Sequence, residues 1–70
     1  STEMATGSSR RRVLQLLSRL QQLSDQQNLI WLPKRDQMGD MLDMTFETCS
    51  RVLSALCREG VIVRSPPRHR

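Results

Sequence analysis

Apolar residues recur along this chain at two spacings, and each spacing predicts a different element. Val13, Leu16, Leu17, Leu20 and Leu23 follow the i, i+3/i+4, i+7 rhythm of one helix face, with Leu14 widening it. They predict a helix over 9–24, with Ser8 or Ser9 as its cap. Cys49, Val52, Leu53 and Leu56 repeat the rhythm and predict a second long helix over 45–59. Between the two, Met38, Met41 and Leu42 predict a short helix over 34–42, apolar side inward. Leu29-Ile30-Trp31-Leu32 has no helical spacing. It is a β-prone apolar run ended by Pro33, and its nearest candidate partner strand is Val61-Ile62-Val63. Trp31 is expected to pack beside that sheet rather than to stack on a base.

The helix over 45–59 has visible ends. The Thr45 hydroxyl can accept from a first-turn N–H, and Glu47 places negative charge at the positive end of the helix dipole. Gly60 stops the helix in a left-handed conformation, with Arg58 near the negative end. Opposite the apolar stripe lie Glu47, Ser50, Arg51, Ser54 and Arg58. Arg pairs bidentately with guanine, a carboxylate accepts from the cytosine amino group, and Ser bonds to several bases. The same residues also describe an ordinary solvated face carrying a Glu47–Arg51 pair, worth about 0.2–0.5 kcal/mol. The preceding residues shift that balance toward function. A short helix, a turn at Asp43-Met44 and the Thr45 cap make a helix-turn-helix. Gly39 lets the second helix cross closely, and Asp43 stands where the turn needs a left-handed residue.

Composition narrows the class. The chain has 70 residues, with 11 Lys+Arg against 7 Asp+Glu. All the basic residues except Lys34 are Arg, which suits phosphate and base contacts. The charge is uneven. Residues 1–32 carry net +2, residues 33–57 net −1 and residues 58–70 net +3. Basic flanks around a weakly acidic middle argue against a purely electrostatic binder. They fit a domain whose flanks hold phosphates while the middle discriminates. Arg10, Arg11 and Arg12 are read equally as phosphate contacts or as a solvated helix start.

Residues 1–8 are small and polar and are expected as a disordered tail or linker. Residues 9–64 are expected to form the domain, residues 24–28 a polar loop within it, and residues 65–70 a basic Pro/Arg tail or partial wing. Cys49 and Cys57 match no metal spacing, and about 12 Å of helix rise between them excludes a mutual disulfide. Cys49 reads as a buried structural residue, and a reducing cytoplasmic setting is inferred. His69 stands alone in the basic tail, so the residues present imply no metal, no cofactor and no catalytic group. No apolar run approaches the length of a membrane span. The order helix, strand, helix, helix, strand, basic turn is that of a mainly α winged helix-turn-helix with a small β-sheet. The returning strand of its wing is missing, so either the chain is truncated or the wing is minimal.

Over residues 10–63 the sequence resembles the C-terminal DNA-binding domain of the Crp/Fnr family of bacterial transcription regulators. The likeness is strongest from Leu32-Pro33-Lys34-Arg35 through Gly39, Met41, Leu42 and Thr45-Phe46-Glu47-Thr48-Cys49-Ser50-Arg51 to Leu53, Leu56, Gly60 and Ile62. Glu-x-x-Ser-Arg at Glu47, Ser50 and Arg51 is similar to the Fnr/FixK-like branch. The resemblance implies that the helix over 45–59 lies in the major groove of double-stranded DNA and reads a TTGA-like half-site. Glu47, Ser50 and Arg51 would read base edges. Thr45, Thr48 and Arg64 would contact phosphates. Lys34, Arg35, Phe46 and Ser54 are further candidate contacts, Phe46 either touching a thymine methyl or packing. The resemblance further implies a homodimer and an RNA polymerase partner for the full-length regulator, an effector of unknown identity on a separate sensor domain, and a monomer for these residues alone. Asp43 departs from the usual turn Gly, and Pro33-Lys34 from the usual Ser or Thr cap. The competing reading is a winged-helix protein-interaction module without specific DNA binding.

Overall fold

The structure, a computed structural model, describes the backbone of residues 2–25 and 29–64 and the side chains of residues 8–25 and 29–64. Three helices follow one another: α1 over Thr2–Leu23, α2 over Arg35–Leu42 and α3 over Phe46–Arg58. Val13 and Leu17 of α1, Met38 of α2, and Cys49, Val52, Leu53 and Leu56 of α3 form the buried cluster. Leu14, Leu16, Ile30, Leu42, Met44 and Ile62 pack on its edge, half-buried. Both α1 and α2 lie against α3, so α3 is the element the core is assembled on.

α1 starts earlier than its apolar stripe. The helix runs from Thr2, so residues 2–8 are helical where a tail was expected, and Ser9 is buried inside the helix rather than capping it. At the other end Leu23 is 76% exposed, because it lies past the last residue that α3 can cover.

α2 and α3 form the helix-turn-helix. Asp43 closes α2 at φ 58°, ψ 52°, the left-handed conformation expected of it. The N–H of Met44 donates to the Gly39 carbonyl at 2.9 Å. The chain therefore folds back directly over Gly39. A Cβ added there would stand 2.6 Å from the Met44 carbonyl oxygen, a backbone atom that cannot swing aside. Gly39→Ala is expected to destabilise the domain by about 1–2 kcal/mol. Overpacking costs about 1–3 kcal/mol, and the better helix propensity of Ala returns part of it. Urea unfolding of the two chains reads this directly, and equal midpoints would show that the turn can open without cost.

α3 begins at Thr45, whose Oγ1 accepts from the Thr48 N–H at 3.1 Å. It ends in a Schellman motif. The N–H of Gly60 donates to the Cys57 carbonyl at 3.1 Å and that of Val61 to the Leu56 carbonyl at 2.9 Å, with Gly60 at φ 79°. This closure explains why Val61 and Ile62 do not pair with Leu29–Leu32 among the described residues. The N–H groups of Val61 and Ile62 both point to the Leu56 carbonyl, so they are committed to closing α3 and not to a ladder. No strand occurs among the described residues, and Leu29–Leu32 has no regular structure, with Ile30 packed on the core and Leu29, Trp31 and Leu32 exposed. Trp31 is not packed beside a sheet; it is 87% exposed. Met41 is likewise exposed rather than inward, because the buried face of α2 is rotated toward Gly39, where α3 crosses. Most of the expected 24–28 loop and all of the 65–70 tail lie outside the described residues.

Candidate nucleic-acid interface

α3 buries Cys49, Val52, Leu53 and Leu56, and the helix rise then dictates what faces out. At about 100° per residue, Glu47, Ser50, Arg51, Ser54 and Arg58 fall opposite the core. These five, with Phe46, line one open surface depression along the helix. The three base-reading candidates Glu47, Ser50 and Arg51 are thus brought to one face. Glu47 and Arg51 form no ion pair among the described residues, so the solvated-pair alternative has no bond behind it. Both are exposed, and neither head group is held by another side chain among the described residues.

The start of the helix is chemically ready for an anion. Thr45 and Thr48 are bonded to each other, Oγ1 to Oγ1 at 3.0 Å, while Thr45 Oγ1 also accepts from the Thr48 N–H. The pair holds two hydroxyl hydrogens and uses one between themselves. One O–H remains to donate outward, beside the positive end of the α3 dipole. Phe46 is 55% exposed, so it is not a core residue.

Lys34 caps α2 without a side-chain bond. Only the return bond is present, Gln37 Oε1 accepting from the Lys34 N–H at 3.3 Å, since an ammonium has no acceptor to offer. Lys34 is exposed and Arg35 half-buried, with its Nε buried and unpartnered. Arg35 lies close enough to Cys49 to oppose, electrostatically, the upward shift that burial imposes on that thiol. Burial prevails, so Cys49 stays a protonated core residue, as expected of it. Arg64 is exposed. No group of three or more His, Cys, Asp or Glu side chains that could hold a metal occurs among the described residues. No helix there is long and apolar enough to cross a membrane.

The sequence reasoning missed what Arg10 and Arg12 do. Arg10 is paired bidentately with Glu59, Nη2 to Oε1 at 2.6 Å and Nη1 to Oε2 at 3.1 Å. That pair ties α1 to the end of α3. The Arg10 hydrogen bond holds the Glu59 carboxyl below its usual range. The pair is therefore present at neutral pH and is lost as pH falls through that lowered value. Arg12 Nη1 donates to the Leu42 carbonyl at 2.8 Å, with the Asp43 carbonyl 3.5 Å away. Of the three arginines only Arg11 stays exposed. No local signal marks these roles, since the partners stand 49 and 30 residues away.

Neither curated proteins nor solved structures returned a match to the chain. The family model of the Crp-like helix-turn-helix domain does match, over residues 11–69. That span holds the Arg12 contact, the left-handed turn at Asp43 and the whole of α3, and on it the chain belongs to the Crp-like helix-turn-helix family.

Proposed function

We propose that this domain reads double-stranded DNA by laying α3 in the major groove, as the DNA-binding domain of a bacterial, cytoplasmic Crp/Fnr-type transcription regulator. The observation that carries the reading is the open face of α3. Glu47, Ser50 and Arg51 stand together, none engaged by another side chain among the described residues, on a helix closed at both ends. Arg51 reads a guanine, Glu47 accepts from the cytosine amino group of the opposite strand, and Ser50 adjusts between them, on a TTGA-like half-site of the Fnr/FixK-like type. The Thr45–Thr48 pair and Arg64 hold phosphates; Phe46 and Ser54, which line the same depression as the reading residues, and Lys34 and Arg35 at the start of α2 are the further contacts. The domain is a binding module, and no catalytic role is assigned to it. In the full-length regulator a homodimer reads two half-sites about 34 Å apart and meets RNA polymerase on the same DNA.

The test is an NMR titration of the 70-residue chain with a short duplex carrying TTGA and with a scrambled duplex, at two salt concentrations. Shifts at Glu47, Ser50 and Arg51 that appear only with the TTGA duplex and survive the higher salt are expected. Shifts equal for both duplexes and lost with salt would leave only a basic domain near a polyanion. In that case the protein-interaction reading would take over, and one observation favours it. Trp31 and Val63 are 87% and 88% exposed, two apolar side chains to which DNA reading assigns no role.

Arg64 tests the phosphate half of the assignment. Arg64→Ala is expected to weaken both duplexes alike and to lower the slope of log K against log salt by about one unit. An unchanged slope would remove this end of the domain from the interface.

A further inference from the structure

We propose that Arg12 is a positioning residue for the recognition helix, reaching across from α1 to set where α3 begins. The proposal rests on the DNA-reading function above.

Arg12 acts on the turn and not on the reading face. Its guanidinium donates to the Leu42 carbonyl at 2.8 Å and faces the Asp43 carbonyl at 3.5 Å. Leu42 is the last residue of α2 and Asp43 the left-handed turn residue. Carbonyls at a helix end lack internal partners and carry the negative end of the dipole, so a cation there is doubly favoured. Charge-assisted bonds are also the more directional ones. Only Met44 and Thr45 separate this anchored turn from Phe46, the first residue of α3. A shift of the Asp43 peptide is therefore passed almost undamped to Glu47, Ser50 and Arg51.

The far end of α3 is held from the same helix. Arg10 and Arg12 project on either side of the Val13–Leu17 stripe, since two residues on a helix are about 200° apart. Arg12 takes the turn before α3, and Arg10 takes Glu59 at its C-cap. The stripe between them packs into the core under α3. α1 thus spans the recognition helix from its entry to its exit, and α3 has little freedom to slide or tilt relative to α1.

Two features separate this role from a phosphate contact or a plain stabilising bond. The Arg12 guanidinium is half-buried, with Nη1 engaged by the turn. Its Nε–H is buried without an acceptor, and that lost hydration offsets part of what the carbonyl bond contributes. The net gain in stability is then small, and the main effect is on geometry.

Arg12→Met keeps the apolar stem, removes the unpaired Nε–H and loses the carbonyl donor. Its urea midpoint is expected close to that of the unsubstituted chain. Fluorescence anisotropy with the TTGA and scrambled duplexes is expected to show the specific-to-scrambled affinity ratio reduced about tenfold, the scale on which residues without ligand contact modulate a distant site. The salt slope stays unchanged, and in the free domain the hydrogen-bonded amides of Asp43, Met44 and Thr48 lose hydrogen-exchange protection. Arg12→Lys, which brings a single donor, gives an intermediate ratio, and it carries the test alone should the Met variant fold poorly. A wild-type ratio in these variants would overturn the proposal. So would a slope lowered by one unit with both duplexes weakened alike, the signature of a phosphate contact. Failure of the DNA reading is distinguishable, because it would show in the unsubstituted chain as equal affinity for both duplexes, and Arg12 would then have no reading face to position.

Discussion

Leu56→Ala is expected to leave the domain close to, or past, its unfolding midpoint in water at 25 °C. Leu56 is completely buried at the meeting point of the three helices, with Val13 and Leu17 of α1, Met38 of α2, and Val52 and Leu53 of its own helix in the same cluster. Truncating such a leucine removes transfer free energy and leaves a cavity, together about 2–5 kcal/mol. A domain of this size has about 3–5 kcal/mol to lose. Relaxation into the hole is limited here. The Leu56 carbonyl also accepts the N–H groups of Val61 and Ile62, so its backbone is held by the closure of α3. Leu23→Ala is the matched control: the same chemical change at an exposed site on α1, expected within about 0.5 kcal/mol of no effect. Urea unfolding of both variants decides. A Leu56→Ala loss below about 1 kcal/mol would mean that the core is not centred on α3.

The features that were legible in the sequence are the ones written within a single turn of helix. Thr45 caps α3 through a bond to a residue three positions on. The left-handed closures at Asp43 and Gly60 are also local, because they depend on which residue tolerates positive φ. Gly39 was legible for a related reason, since a small residue before a tight turn implies a close crossing, and the crossing is there. The face of α3 followed from periodicity alone.

The misreadings share a different property: each depended on a partner elsewhere in the chain. Leu29–Leu32 is β-prone by composition, but a strand exists only if another segment has donors to spare, and Val61 and Ile62 have spent theirs on Leu56. Met41 obeys helical spacing yet faces out, because the crossing at Gly39 and not the apolar count sets which side of α2 is covered. Arg10 and Arg12 read as a basic cluster, with charge that DNA could use. Their partners, Glu59 and the α2–α3 turn, are remote in sequence and become visible only when α1 is laid over α3. Arg10 and Arg12 are thus engaged within the domain, so under the proposed function more of the affinity for DNA falls to the α3 face and to Arg64.

Arg51→Ala is accordingly the substitution expected to cost most in recognition while leaving the fold intact. Arg51 is exposed in the middle of the open face and makes no ion pair among the described residues, so its removal breaks no bond that holds the domain together. Stability should move by less than about 0.5 kcal/mol. If its guanidinium forks onto guanine O6 and N7, binding to the TTGA duplex should weaken by about 1–3 kcal/mol. The preference should also flatten at one base position only, and the scrambled duplex, which offers no matching guanine, should be bound almost as before. A phosphate contact behaves oppositely: every sequence weakens alike and the salt slope drops by about one unit. Competition against duplexes with each base substituted in turn separates the two. Uniform weakening would move Arg51 from the reading set to the phosphate set. Glu47 and Ser50 would then have to carry sequence preference alone, with no guanidinium beside them to read a guanine.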